Sequence, residues 1–293
     1  MIAFCCSILY LFSLTNLDSS SEGSKEYPRR DLIASANEVE SMVKEKGYRL
    51  LDCRSKKEYD SGHIPGAISV SVTSWRKTFD PKPQPEALED QLNKLGLSPT
   101  DKLIIYGEEL PVTAMGWWIL KYAGVADVRI LNGGWQSWKG IGKTPESQSN
   151  VLKPAKAKWT IAVDRLATKD QLMALVKEGK TCVVDARTPG EFQGTRKITK
   201  RSGHIPKAVH LEWTAFIDSK TRQFKTASQL KEIFQQSQVL QQNEHVTYCQ
   251  AGGRAAVDAF VLELMGAKKV RNYLLSWKEW GNDPTTPIDT PKK

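Results

Sequence analysis

The sequence predicts an α/β protein made of two tandem copies of one domain, each a mainly parallel sheet flanked by helices. Three observations carry this. Leu51-Asp52-Cys53-Arg54 matches Val184-Asp185-Ala186-Arg187 at an offset of 133, and Gly62-His63-Ile64-Pro65 matches Gly203-His204-Ile205-Pro206 at 141. Tyr106, Trp135 and Trp138 match Tyr248, Trp277 and Trp280, all at 142, and Pro145 finds Pro287. Within each copy, short apolar runs alternate with helix-length amphipathic ones, the pattern of βα units. Self-similarity at a steady spacing marks a duplication.

The elements follow in the same order in both copies. A first helix is predicted over 36–46 and 168–178. The strand after it ends at the Asp-x-Arg signal, and a turn carries Gly-His-Ile-Pro into a short strand, 67–72 or 208–211. A helix follows at 86–95 or 228–235, then a buried strand at 103–106 or 246–248. A loop and a long apolar helix come next, the second copy's over 255–265. A last strand, 128–131 or 270–273, precedes Trp-x-x-Trp. The stretch 142–159, rich in Pro, Ser, Lys and Gln, separates the copies. The organisation is a leader at 1–30, a first copy at 31–145, a linker at 146–158 and a second copy at 159–293. The tail from residue 283 is Pro/Thr-rich and either wraps back or frays.

Composition narrows the function. The net charge is +9 over 293 residues, yet no dense Lys/Arg block or nucleic-acid motif is present. Such a surface favours small anionic substrates. Of five cysteines, Cys5 and Cys6 lie in the leader, Cys53 and Cys182 fall in apolar strand-like runs, and only Cys249 has a loop setting. With no CxxC pair, and with His63, His204, His210 and His245 scattered, neither a metal nor a disulfide framework is expected. Residues 1–17 are mostly apolar and resemble the apolar region of a signal peptide, without its basic front or a clear cleavage site. The two expectations are export to the periplasm and a cytoplasmic chain with an untidy start. No later stretch is long enough to span a membrane.

Chemistry concentrates at Cys249. It ends a buried strand and precedes a helix, where backbone N–H groups lack intrahelical partners. That setting favours the thiolate. Gln250, Ala251, Gly252, Gly253 and Arg254 complete the loop; the glycines permit a sharp cradle and Arg254 adds a fixed positive charge. A strand–helix turn with an inert cysteine is the bland alternative. Opposite Cys249 the first copy has Gly107, followed by Glu108 and Glu109, so it lacks the nucleophile and is expected to form one wall of the cleft.

Other repeated signals read as architecture. Asp52 with Arg54 and Asp185 with Arg187 are expected to organise the strand ends, with Arg187 also able to reach a substrate. His63 and His204 occur in both copies, which points to the turn. Glu58 and Glu191 are helix-start charges. Trp117, Trp118, Trp135, Trp138, Trp277 and Trp280 are expected in the core and between domains. Phe192 to His204 spans twelve steps against four from Tyr59 to His63. The added loop holds Arg196, Lys197, Lys200 and Arg201. It is either a solvated charge run or a cationic rim that steers an anion.

These residues together resemble the tandem-domain rhodaneses, the sulfurtransferases that include thiosulfate and 3-mercaptopyruvate sulfurtransferase. The resemblance runs over 37–287 and rests on Asp-x-Arg, Gly-His-Ile-Pro, the cysteine loop and Trp-x-x-Trp. It implies two rhodanese-like domains, the second catalytic. Cys249 would take a sulfane sulfur from a small anionic donor as a persulfide and pass it to a thiophilic acceptor such as cyanide or a thiol. The loop amides from Gln250 to Arg254 would stabilise the sulfur, and Arg187 and Arg196 would hold the donor. No cofactor is implied, and a monomer suffices. The loop departs from the family's two common types, since Gln250 and Ala251 are neutral while Arg254 is charged. Arg254 and the basic insertion favour thiosulfate, with 3-mercaptopyruvate the alternative. Cysteine-dependent phosphatases and arsenate reductases place five residues between cysteine and arginine; here there are four, a ring sized for one sulfur atom. A non-catalytic sulfur-binding module is the third reading.

Overall fold

The computed structural model describes residues 26–179 and 181–290. The expected leader lies almost wholly outside these. The first copy runs β1 (Ile33–Ala34), α1 (Val39–Lys46), β2 (Tyr48–Asp52), α2 (Lys56–Asp60), β3 (Ile68–Ser69), α3 (Val72–Lys77), α4 (Pro85–Lys94), β4 (Lys102–Tyr106), α5 (Leu110–Tyr122), β5 (Asp127–Leu131) and α6 (Gly134–Gly140). The second runs α7 (Lys169–Glu178), β6 (Cys182–Asp185), α8 (Pro189–Phe192), β7 (Val209–His210), α9 (Ala227–Ser237), β8 (Glu244–Tyr248), α10 (Gly253–Leu264), β9 (Lys269–Asn272) and α11 (Ser276–Trp280). The sheets have the orders β1-β5-β4-β2-β3 and β7-β6-β8-β9, and every pairing is parallel. Central strands are buried on both faces: Leu103, Ile104, Ile105 and Tyr106 are fully enclosed. That is why they read as continuous apolar runs. Among the described residues no helix is long and apolar enough to cross a membrane.

The α/β architecture and the duplication stand as expected. Two details differ. The strand expected over 67–72 is only β3, because Ser71 caps a helix there, its hydroxyl accepting from the Ser74 N–H. The first sheet also gains β1 outside β5; in the second copy only Leu166 bridges Asn272 in a comparable way. Both Asp-x-Arg signals lead into capping boxes, Ser55 with Glu58 and Thr188 with Glu191.

The repeated signals form one device, built twice. Arg54 forks onto Asp52 and donates to the Gly62 carbonyl; Arg187 forks onto Asp185 and donates to the Gly203 carbonyl. His63 stacks on Tyr59 and His204 on Phe192, each with ring centroids 3.8 Å apart, and each Nδ1 meets that ring's own backbone carbonyl. The next N–H, of Ile64 or Ile205, donates to the hydroxyl of Tyr106 or Tyr248 at 3.1 Å. The chain leaving each domain pairs back onto this turn, Glu146 with His63 and Asp289 with His204. So the tail wraps back, and Trp280 Nε1 donates to the Pro287 carbonyl at 2.8 Å.

The segment between the copies is strapped down. Asn93 Oδ1 accepts from the Ala157 N–H at 3.1 Å and from Trp159 Nε1 at 3.2 Å, and the Asn93 carbonyl accepts from the Ala155 N–H. The domains meet where α5 packs on α10, with Trp117 edge-on to Phe260 at 4.9 Å. Trp117 therefore packs between domains as expected. The pairs Trp135/Trp138 and Trp277/Trp280 take the other expected place, each in a buried core cluster of its own domain, where Trp135 and Trp277 cover the guanidinium groups of Arg54 and Arg187.

Gly203 has φ +119°, and a Cβ there would lie 2.3 Å from the Asp289 carbonyl oxygen. The variant G203A is expected to lose about 2–4 kcal/mol of stability, read as a lowered denaturation midpoint.

Candidate functional site

Cys249 follows β8 and precedes α10, beyond the carboxyl end of a central strand, where open α/β sheets bind ligands. The first turn of α11 holds the loop. The Cys249 N–H donates to Ser276 Oγ at 3.1 Å, and the Trp277 and Lys278 N–H groups donate to the Cys249 and Gln250 carbonyls at 3.0 Å. Asn272 Nδ2 donates to the Gly252 carbonyl at 3.2 Å. The Gly252 N–H turns inward and meets Cys249 Sγ at 3.1 Å. Gly252 has φ +90°, and a Cβ would fall 2.6 Å from Leu274 Cδ1, so position 252 requires glycine. The side chain of Cys249 packs with Ala186, Ala255 and Trp213, and the residue is only 2% exposed.

Arg254 does not face an open cleft alone. Nη1 and Nη2 form a two-pronged bond to Glu191, at 2.7 and 2.9 Å. Burial pushes the Glu191 carboxyl up, but the Arg254 fork and the Thr188 hydroxyl outweigh it and hold the group down at about 2. Glu191 is thus more than a helix-start charge: it fixes the arginine of the cysteine loop.

The other predicted site residues separate. Gln250 and Ala251 lie in the loop, and Gly253 opens α10 with the Pro111 carbonyl of the first domain 3.3 Å from where a Cβ would be. Met115 Cε stands 3.0 Å from the Cβ position of Gly252, so the first domain does wall the loop. Arg187 is 2% exposed, its Nε and Nη2 are committed to Asp185 and Gly203, and the Trp277 ring covers its guanidinium at 4.3 Å, so it organises the strand end as expected. Arg201 joins neither a solvated charge run nor a cationic rim: it donates inward to the carbonyls of Trp280, Asp283 and Thr286 and ties down the tail. Arg196 is exposed, and its N–H caps back onto the Gly190 carbonyl at 2.9 Å, next to Glu191.

The first copy carries a displaced thiol. Gly107 stands where Cys249 does, and a Cβ on it would come 2.7 Å from Cys53 Sγ. Cys53 stands where Ala186 does, just past its strand rather than inside it, its N–H on the Tyr106 carbonyl as Ala186's is on Tyr248's. Burial pushes the Cys53 thiol up to about 12, so it stays protonated and non-nucleophilic at neutral pH. Cys182, inside β6, is pushed up to about 11 by burial alone.

Sequence reasoning missed Ser276 and Asn272. A usable signal for the first was the repeat itself: Gly134 and Ser276 are partners at offset 142, and both have positive φ, +56° and +54°.

A family model described as the rhodanese-like domain matches residues 35–141 and again 168–283. The chain belongs to the rhodanese-like family. It is 31% identical over 287 residues to the thiosulfate sulfurtransferase of Corynebacterium glutamicum, covering 91% of this chain and 93% of that one. It is 29% identical to the sulfur carrier protein TtuD of Thermus thermophilus over 282 residues, 89% and 98% of the two chains. An anaerobic ergothioneine biosynthesis enzyme from Chlorobium limicola superposes with a TM-score of 0.80, covering 91% of this chain and 72% of that one; at 21% identity this shows the shared fold. With such relatives, this rhodanese-like chain is a sulfurtransferase.

Glu191 is ionised well below its ordinary value of 4.5. Its contribution to stability is complete above about pH 4.5 and is lost as pH falls toward 2. The variant E191Q, which keeps the shape and loses the charge, is expected to cost about 2–3 kcal/mol at pH 7 and to lose less than the parent on acidification. Denaturation midpoints at pH 7 and pH 3 check both.

Proposed function

We propose that this sulfurtransferase moves a sulfane sulfur from thiosulfate to a thiophilic acceptor, cyanide or a thiol, through a persulfide on Cys249. The Cys249 thiolate attacks the outer sulfur of thiosulfate; an Sγ–S bond forms, the donor's S–S bond breaks, and sulfite leaves with the bonding pair. The acceptor then takes the outer sulfur, and the electron pair of the Sγ–S bond returns to Cys249. This two-stage route gives ping-pong kinetics. The single observation that carries the reading is the Gly252 N–H directed at Sγ, in a loop that ends a strand and opens a helix. It offers a donor and the positive end of α10 to a negative sulfur. The name borne by the Corynebacterium relative supports thiosulfate as donor.

Arg196, exposed beside the Glu191–Arg254 pair, steers the dianionic donor. A second reading is favoured by the Thermus relative's designation as a sulfur carrier: the persulfide passes to a protein acceptor and not to a small molecule.

Mass spectrometry of the protein after exposure to thiosulfate, and separately to 3-mercaptopyruvate, tests the donor. One added sulfur on the Cys249 peptide with thiosulfate, and none in C249S, is the expected result. Sulfur gained only from 3-mercaptopyruvate reassigns the donor, and sulfur gained by C249S removes the mechanism. The variant R196A is expected to raise KM for thiosulfate several-fold with kcat little changed, the effect shrinking at high salt. An unchanged KM at low salt removes the steering role.

A further inference from the structure

Asp258 breaks a rule that the rest of the core obeys. It sits in the middle of α10, it is fully buried, and neither carboxylate oxygen has a hydrogen-bond partner among the described residues. Buried polar groups are nearly always paired, and an unpaired one destabilises the fold. Its place in the helix is informative. Ala255, three residues earlier, packs against Cys249, and residues three apart share a helix face. Helical side chains also lean toward the helix N-terminus, which here is the cysteine loop. The charges that act on Asp258 are Cys249 in the loop, Asp185 at the end of β6, and Arg254 one turn earlier. Arg254 is committed to Glu191, and Asp185 to Arg187 and the Tyr248 hydroxyl. No uncommitted cation among these groups, and no hydrogen-bond donor, is left to hold Asp258 as an anion, and burial drives its carboxyl well above its ordinary value.

The duplication supplies an independent comparison. At the offset of 142 that pairs Gly107 with Cys249, the counterpart of Asp258 is Gly116. The acid is present in the copy that has the loop cysteine and absent from the copy that lacks it. A Cβ at Gly116 would already press on Ile105 Cδ1 at 2.4 Å, so that space in the first copy is closed.

We propose that Asp258 is a positioning residue for Cys249: rotation of its unpaired side chain brings a carboxyl O–H to the sulfur from the helix side, opposite the Gly252 N–H on the loop side. This rests on the reading of Cys249 as the reactive thiol and extends it. No proton is consumed or released by the arrangement, and Asp258 does not touch the substrate.

The test reads the thiol without any sulfur donor. Iodoacetamide alkylation of the Cys249 peptide is followed by mass spectrometry across pH in the parent, D258N and D258L. In D258L, which has no donor, the midpoint of the alkylation profile is expected to rise by about one pH unit, a tenfold slower reaction below both midpoints. D258N keeps an N–H donor of similar shape and is expected to shift by clearly less. D258L should melt no lower than the parent, since it removes an unpaired buried carboxyl. If leucine does not fold there, D258A serves as the donor-free variant. A donor-free profile that coincides with the parent's overturns the proposal, as does a D258N shift as large as that of D258L. Because no donor is present, the outcome is independent of persulfide formation: a shifted profile on a Cys249 that never takes up sulfur defeats the sulfur-transfer reading and leaves this one standing.

Discussion

Everything at the site depends on how the cysteine loop is pinned to the first turn of α11. The loop leaves β8 with no sheet partner for the backbone of Cys249 and Gln250, and buried backbone groups must be satisfied somewhere. They are satisfied by Ser276, Trp277 and Lys278. Ser276 is held in turn by its own bond to the Tyr273 carbonyl at 2.7 Å. Trp277, which supplies one of those amides, also lies over the Arg187 guanidinium. The cysteine loop, the Asp-x-Arg fork and the Gly-His-Ile-Pro turn are therefore one connected network, and none of them can shift without the others.

The two copies separate scaffold from chemistry. The fork, the stacked histidine, the tyrosine hydroxyl on the turn and the return strand occur in both, so none of them is what makes the second copy reactive. The differences are few. A loop thiol has become Gly107, while a thiol on the facing strand end, Cys53, fills the vacated space. Sulfur alone does not make a nucleophile. Cys53 Sγ lies 3.4 Å from Thr113 Oγ1 and is driven up by burial, whereas Cys249 has a backbone N–H at 3.1 Å and a helix start behind it. The freed capacity of the first copy goes into the wall it presents, with Pro111 and Met115 against the glycines of the loop.

Much of this was legible in the sequence because it was written twice. A steady offset exposed the domain plan, the central strands and the cysteine at a strand–helix junction. What stayed hidden depends on contacts between residues far apart in the chain. Nothing local marks Arg187 as buried under Trp277, or sends Arg201 inward to the tail instead of out to solvent. Glu191 satisfies a helix-cap rule with Thr188, which accounts for it locally and conceals its second bond, to Arg254 63 residues away. Asp258 is hidden for a different reason: an aspartate at mid-helix reads as a solvent-facing position until burial on all sides is known. The short strand β1, two residues long, falls below what periodicity can register.

The Glu191 bond changes how the site attracts an anion. An arginine in the first turn suggests a free positive charge for a dianionic donor. Once forked onto a carboxylate held ionised at about 2, the pair is close to neutral at the distance of a ligand. In the proposed reaction, attraction then comes from elements that no carboxylate cancels among the described residues: the positive end of α10, the amide directed at Sγ, and the exposed insertion that bears Arg196, Lys197 and Lys200. The first two act only within a few ångströms and on whatever charge sits at the sulfur, donor or persulfide alike. The third acts at longer range and is screened by salt. In the proposed reaction, capture and chemistry thus fall to different parts of the second domain, while the fork between Arg254 and Glu191 stiffens the loop.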